Sequence, residues 1–160
     1  MTVLYPEPYR VRERPPTVEE LRALNAAVGW ADLPDDDVAV ARGLAASLFG
    51  VVVTMGADLV ACARLVRDGG VYFYLQDFIV APAHQRKGVG DIVMREVMRY
   101  REEHAAPDPS VGLSAAEGKA GFYEQYGFAA RPPGGPGMAL AWDSDHAPAP
   151  HRREPSKQGL

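Results

Sequence analysis

A mixed α/β domain of the α+β kind, with a mostly antiparallel central sheet that holds one parallel strand pair and is flanked by helices, is the fold class the sequence predicts. Three observations predict it. The hydrophobic pattern runs strand, two helices, three strands, helix, strand, helix, two strands. The three consecutive strand runs are joined by Met55-Gly56-Ala57-Asp58 and Asp68-Gly69-Gly70, hairpin connections in which Gly supplies the positive φ that a tight turn requires. The strand before the longest helix and the strand after it are linked by a crossover, and right-handed crossovers make such strands parallel neighbours.

Each element has a local reason. Residues 9–14 alternate Val11 with charged neighbours and end at Pro15-Pro16, which suits a short edge strand whose prolines block further pairing. Thr17-Val18-Glu19-Glu20 fits a capping box; Leu21, Leu24 and Val28 follow at helical spacing, and Gly29 stands where that helix would end. Pro34 with Asp35, Asp36 and Asp37 opens a second helix whose expected apolar stripe is Val38, Ala41, Leu44 and Leu48, the carboxylates lying at the positive end of its dipole. Strands are expected over residues 49–54, 59–67 and 71–80. The last is apolar on both faces except at Gln76 and Asp77, as for a strand covered on both sides.

Pro82 ends that strand, and a long helix is expected from residue 88 or 89 to 104, with Val89, Val93, Val97 and Tyr100 on one side and Asp91, Arg95, Arg99 and Glu102 on the other. Pro107 and Pro109 break it. A short strand over 111–115, a short helix over 119–126 and a final strand pair over 127–131 and 138–142 complete the domain. Residues 1–142 are thus expected to form one domain, and residues 143–160, rich in Pro, His and charge, a disordered tail.

Composition narrows the function classes. A chain of 160 residues has the length of one domain. A net charge of −4 and a pI near 5.5 give no positive footprint for wrapping nucleic acid. No apolar run approaches the roughly 18 residues of a membrane span, and Pro6 and Pro8 interrupt the stretch where a signal peptide would need an apolar core. The expectation is a soluble cytoplasmic protein with neither nucleic acid nor membrane as partner. Cys62 is alone, so an intramolecular disulfide is impossible, and zinc ligands would have to come from carboxylates and the scattered His84, His104, His146 and His151; no metal is expected.

The informative segment runs from Phe78 to Asp91. A buried strand feeds a basic, glycine-bearing turn that opens the longest helix, so backbone N–H groups point outward at the positive end of a helix dipole. Gly88 and Gly90 let the backbone approach phosphate oxygens without Cβ interference, and Arg86 and Lys87 add positive charge. A plain strand-to-helix turn accounts for the same glycines. The dinucleotide fingerprint fails because Val93 stands where its third small residue belongs. The run from Gly112 to Ala120 is one residue too long for a P-loop and has Ala120 in place of the magnesium-binding hydroxyl.

What remains is Gln85-x-x-Gly88-x-Gly90 after a strand ending Val80-x-Pro82, followed, one strand later, by Gly121-Phe122-Tyr123-Glu124-Gln125-Tyr126-Gly127-Phe128. This pattern resembles the GNAT superfamily of acetyl-CoA-dependent N-acetyltransferases, over about residues 9–142 through the element order. The resemblance implies acetyl-CoA as co-substrate. It implies that Phe78, Ile79 and Val80 bind the pantetheine arm, that the pyrophosphate sits on the backbone amides of Arg86, Lys87, Gly88, Val89, Gly90 and Asp91, with Gln85 also in the cofactor site, and that the two central parallel strands splay apart to admit the thioester. It also implies that Tyr123 protonates the departing thiolate, a role that suits a phenol with an ordinary pKa near 10; Tyr126 is the alternative, and simple packing of Phe122, Tyr123 and Tyr126 onto the sheet is a third reading.

Two positions depart from the family pattern. Ala116 stands where many members have an Asn that contacts the pantetheine arm, and Val111 where some have a Glu that acts as general base. Asp77, on an otherwise apolar strand, becomes the candidate to take the amine's proton directly or through water; a carboxylate satisfied by backbone donors or by an Arg such as Arg64 is the competing reading. Acceptor specificity in this fold implies a wall near the first two helices, for which Trp30, Phe49 and Tyr74 are candidates, with Asp35 to Asp37 available to attract a cationic amine. Cys62 has no paired His and reads as a small buried strand residue. The expected function is direct acetyl transfer to a primary amine of a small molecule, with a non-catalytic acyl-CoA-binding or sensing module as the alternative. A homodimer is expected from the resemblance alone.

Overall fold

Local sequence signals set the element boundaries in the computed structural model, which describes residues 5–30 and 33–138. The chain divides into two compact units, Met1–Ser114 and Ala115–Leu160. In the first unit β1 (Tyr9–Glu13) is followed by α1 (Val18–Ala27), α2 (Asp37–Ala45), β2 (Phe49–Met55), β3 (Asp58–Arg67), β4 (Tyr72–Val80), a 3-10 turn at Pro82–His84, α3 (Val89–His104) and β5 (Ser110–Gly112). The five strands lie in sequence order, with β1 to β4 antiparallel to their neighbours and β4 parallel to β5. The expected mixed sheet with one parallel pair is therefore present.

The expected capping box at Thr17 forms: its side chain accepts from the Glu20 N–H, and the Glu20 carboxylate accepts from the Thr17 N–H. Gly29, at φ +76°, follows the end of α1. Asp36 caps α2 by accepting from Val38 N and Ala39 N, and the buried stripe keeps Leu44 of the expected set but takes Val40 in place of Val38 and Ala41. Val40 and Leu44, four residues apart, are buried, whereas Val38 is 79% exposed. Val40 stands about 200° around the helix from Val38, so with Val40 inward Val38 faces water.

Leu21 and Leu24 of α1, Val40 and Leu44 of α2, and Val52, Cys62 and Ile79 of the sheet form one core layer. Helix α3 covers the sheet as well, touching β2, β3 and β4, and buries Val89, Val93, Met94 and Val97. Since strand side chains alternate, Val51 and Val53 lie on the opposite face of β2 from Val52, and all three are buried. A Cβ at Gly50 would stand 2.3 Å from the backbone nitrogen of Pro15, so only glycine lets the chain leaving β1 cross β2 this closely.

β5 is shorter than the expected 111–115. The second unit holds α4 (Ala120–Glu124), inside the expected 119–126. Residues 127–131 form no strand among the described residues: Gly127 has φ +88° and the following Pro132 and Pro133 offer no N–H. The expected partner strand 138–142, apart from Met138, and the expected tail 143–160 lie outside the described residues. Among the described residues no helix is long and apolar enough to cross a membrane, and no group of three or more His, Cys, Asp or Glu side chains that could hold a metal ion occurs.

Candidate active site

The C-terminal end of β4 is shaped by a bulge. The register passes from Cys62 opposite Ile79 to Arg64 opposite Gln76, so Ala63 stands opposite two residues, Asp77 and Phe78. Asp77 takes φ +51°, a left-handed conformation that Asp tolerates better than most residues. Beyond the bulge the Ala81 N–H donates to the Val60 carbonyl at 2.8 Å. Strand alternation then turns the Val80 N–H and C=O away from β3, toward the side on which β5 lies. Pairing with β5 is confined to Tyr72, Phe73 and Tyr74 opposite Ser110, Val111 and Gly112, whereas β4 continues to Val80. The parallel pair is thus joined only at its base.

The glycine loop follows directly. Gln85 Nε2 donates to the Val80 carbonyl at 2.9 Å, tying the loop back onto the strand end. Arg86 has φ +57°, and Gly88, at φ +80°, is the N-cap of α3 with no side-chain hydrogen bond capping that helix. The first intrahelical bond runs from Ile92 N to the Gly88 carbonyl at 3.1 Å, so the N–H groups of Val89, Gly90 and Asp91 precede the helix's own hydrogen-bond ladder. Val89 is fully buried and anchors the turn, while Arg86, Lys87 and Gly88 are exposed. Donors at the positive end of a helix dipole, flanked by two cations, can hold a diphosphate. Before the loop, His84 Nδ1 and the Tyr9 hydroxyl share a hydrogen bond of 3.0 Å, which ties the 3-10 turn to β1.

Asp77 is engaged. One carboxylate oxygen accepts from Arg64 Nε at 2.5 Å and the other from Gln76 Nε2 at 3.1 Å, with the Arg64 and Asp77 side chains only 17% and 10% exposed. The structure therefore supplies the competing reading of Asp77, an Arg64-satisfied carboxylate. Cys62 is buried beneath it and donates its thiol to the Asp77 carbonyl at 3.3 Å; burial pushes that thiol's pKa far up, so it is no nucleophile.

The three candidate wall residues are not brought together. Phe49 is buried and stacked on Tyr100 at 4.7 Å between ring centroids, about 16 Å along α3 from Val89, so it is core rather than wall. Tyr74 lies about 20 Å back along β4 from Val80, its hydroxyl bonded to Ser114 Oγ at 2.8 Å and its ring under the Arg67 guanidinium. Trp30 is 39% exposed just beyond α1. Of the three aspartates, Asp36 caps α2 and Asp37 pairs with Arg22 at 2.6 Å; both have structural employment.

In the second unit, α4 carries Tyr123, which is buried, with Phe122 and Phe128 edge-on at 5.2 and 6.1 Å. Burial pushes the phenol above its ordinary value of 10, so it keeps its proton across the physiological range. Tyr126 is half-buried and tilted against Phe122. Two features escaped the sequence reading: the Gln85 clamp on Val80, and the bulge at Asp77. The second had a signal, because an acidic residue inside an apolar strand is disfavoured there yet accepts the left-handed conformation a bulge needs.

Comparison with known proteins identifies the family and supports the fold. A family model described as acetyltransferase (GNAT) domain matches residues 47–130. An uncharacterised N-acetyltransferase of Porphyra purpurea is 27% identical over 121 residues, 74% of this chain and 68% of that protein. Among solved structures, a protein of unknown function from meticillin-resistant Staphylococcus aureus, described as a probable acetyltransferase, superposes with a TM-score of 0.77 at 27% identity, covering 84% of this chain and 99% of that one. A GNAT family acetyltransferase of Streptococcus pneumoniae gives a TM-score of 0.64 at 29% identity, covering 76% of this chain and 88% of that one.

Proposed function

The chain belongs to the GNAT acetyltransferase family, and from that premise we propose that it moves the acetyl group of acetyl-CoA directly to the primary amine of a small molecule. The observation that carries this reading is the Gly88-capped start of α3 beside the clamped end of β4: one short stretch of chain offers diphosphate donors and, next to them, a strand edge on which an extended amide-bearing arm can lie. The N–H groups of Val89, Gly90 and Asp91, with Arg86 and Lys87, hold the diphosphate. The backbone of Phe78, Ile79 and Val80 holds the pantetheine arm, and the Val80 N–H donates to the thioester oxygen as negative charge develops there.

The amine arrives neutral. Its nitrogen attacks the acetyl carbon, the carbon–sulfur bond breaks, and Tyr123 gives its phenolic proton to the leaving thiolate. The proton lost by the new amide nitrogen returns through water to the phenolate, so the sum is amide plus free thiol. No dedicated carboxylate base is required, which accords with both Asp77 oxygens being engaged. That engagement, with Ala116 and Val111 at the two departures, equally favours a second reading, a non-catalytic acyl-CoA sensor. We place the acceptor among small amines because the net charge of −4 disfavours nucleic acid, and we propose a cytoplasmic homodimer as its setting.

Calorimetric titration with acetyl-CoA, beside CoA, ATP and NADH, tests the reading. Selective micromolar binding of acetyl-CoA, weakened in Gly88→Val, is expected, followed by acetylated product detected by mass spectrometry across a panel of amines. A folded protein without acetyl-CoA binding would overturn it. Binding without product in any amine would select the sensor.

A further inference from the structure

The β4 bulge is gripped from outside the strand. Arg64 Nε bonds Asp77 Oδ2, and the same guanidinium sends Nη1 to the Gly43 carbonyl at 3.2 Å and to Ser47 Oγ at 3.4 Å, the end of α2 and the turn after it. Gln76 and the Cys62 thiol complete the grip, on the Asp77 carboxylate and carbonyl respectively. The residue so held is the one in the left-handed conformation, and the next three, Phe78, Ile79 and Val80, are those assigned to the pantetheine arm and the thioester oxygen.

We infer that Arg64 and Asp77 are a positioning pair: Arg64 locks the Asp77 bulge and so fixes the direction of the Phe78 to Val80 backbone groups, and through Gly43 and Ser47 it couples α2 to that strand end. Asp77 then moves no proton; its carboxylate holds the strand. The inference rests on the acetyl-transfer reading for its catalytic consequence, though not for its structural one. A flexible edge would lose the pre-set donor geometry on which an oxyanion site depends, whereas diphosphate binding at α3 would be largely spared.

The test has two arms. In the free protein, amide NMR resonances of Phe78, Ile79 and Val80 are expected to shift or broaden in Arg64→Ala and Asp77→Ala and to stay near their native positions in Asp77→Asn, which keeps an acceptor for Arg64 and tolerates positive φ. Unmoved amides in Arg64→Ala overturn the inference, whatever the protein catalyses. In the turnover arm, kcat is expected to fall by roughly tenfold to a hundredfold in either alanine variant, with KM for acetyl-CoA rising by a smaller factor, the double variant no worse than the singles, and most activity kept in Asp77→Asn. A base would behave otherwise: Asp77→Asn would lose about a hundredfold or more and the acidic limb of the pH–rate profile would vanish, which would overturn the positioning role while leaving acetyl transfer intact.

Discussion

Tyr123 and Gly88 carry the sharpest residue-scale expectations. Tyr123→Phe removes one oxygen from a buried ring already packed by Phe122 and Phe128, so folding and acetyl-CoA affinity should hold while kcat falls by about a hundredfold or more; titration calorimetry beside steady-state rates checks both halves. Because burial raises the phenol above 10, protonated tyrosine is the form present at every ordinary assay pH, and any alkaline loss of rate assigned to this group should begin above that value. A pH–rate profile falling near 8 would identify a different titrating group. At Gly88 the space a Cβ would fill is open, so Gly88→Val suffers from its φ of +80° rather than from a clash. The strain of about 1–2 kcal/mol falls on the helix start itself, and acetyl-CoA affinity should drop by about tenfold or more.

Elements are held by their ends. Thr17→Ala should cost α1 about 1 kcal/mol, read as a lower denaturant midpoint with unchanged slope. Arg14 forks onto both Glu20 oxygens at 2.7 Å and, with the Thr17 N–H, holds the Glu20 carboxyl below its ordinary 4.5. The native state thus binds fewer protons there than the unfolded chain. That stability is complete above the ordinary value and is lost as pH falls through the lowered one, so melting temperatures taken between about pH 6 and pH 3 should decline less steeply in Glu20→Gln than in the parent. These caps were legible because they are spelled in contiguous residues. So was the glycine loop, where Gln85, Gly88 and Gly90 sit in one short run. What sequence did not disclose depends on distant partners: the rotation of α2 to bury Val40, the stacking of Phe49 on Tyr100, and the Arg64 fork onto Asp77, which joins residues 13 apart across a hairpin. Periodicity shows that a face exists; it does not choose between neighbouring faces when a short helix carries Val38, Val40 and Ala41 together.

At the scale of the first unit, α3 is fastened to the edge of the sheet by an arginine as well as by apolar packing. Arg99 of α3 reaches Glu13 on β1 at 3.0 Å, 86 residues away in sequence, and also holds Glu96 and Glu103; Glu96 is buried and accepts in addition from the Tyr5 hydroxyl. Arg99→Met should lower stability by about 1–2 kcal/mol, because the buried Glu96 carboxyl would be left with one hydrogen-bond partner fewer. Thermal unfolding checks this, and Arg99→Lys should recover only part, lacking the fork that serves three carboxylates.

The burial of Cys62 has a practical side. It is the chain's single thiol, and it lies with no accessible surface between the sheet and the α1–α2 layer. An aromatic disulfide reagent that colours on meeting free thiol would therefore give a silent blank with the native protein, and every increment of colour in an assay would count a molecule of liberated CoA. Without substrate, the same reagent becomes a clock: its slow colouring would time the opening of the sheet that lets it in.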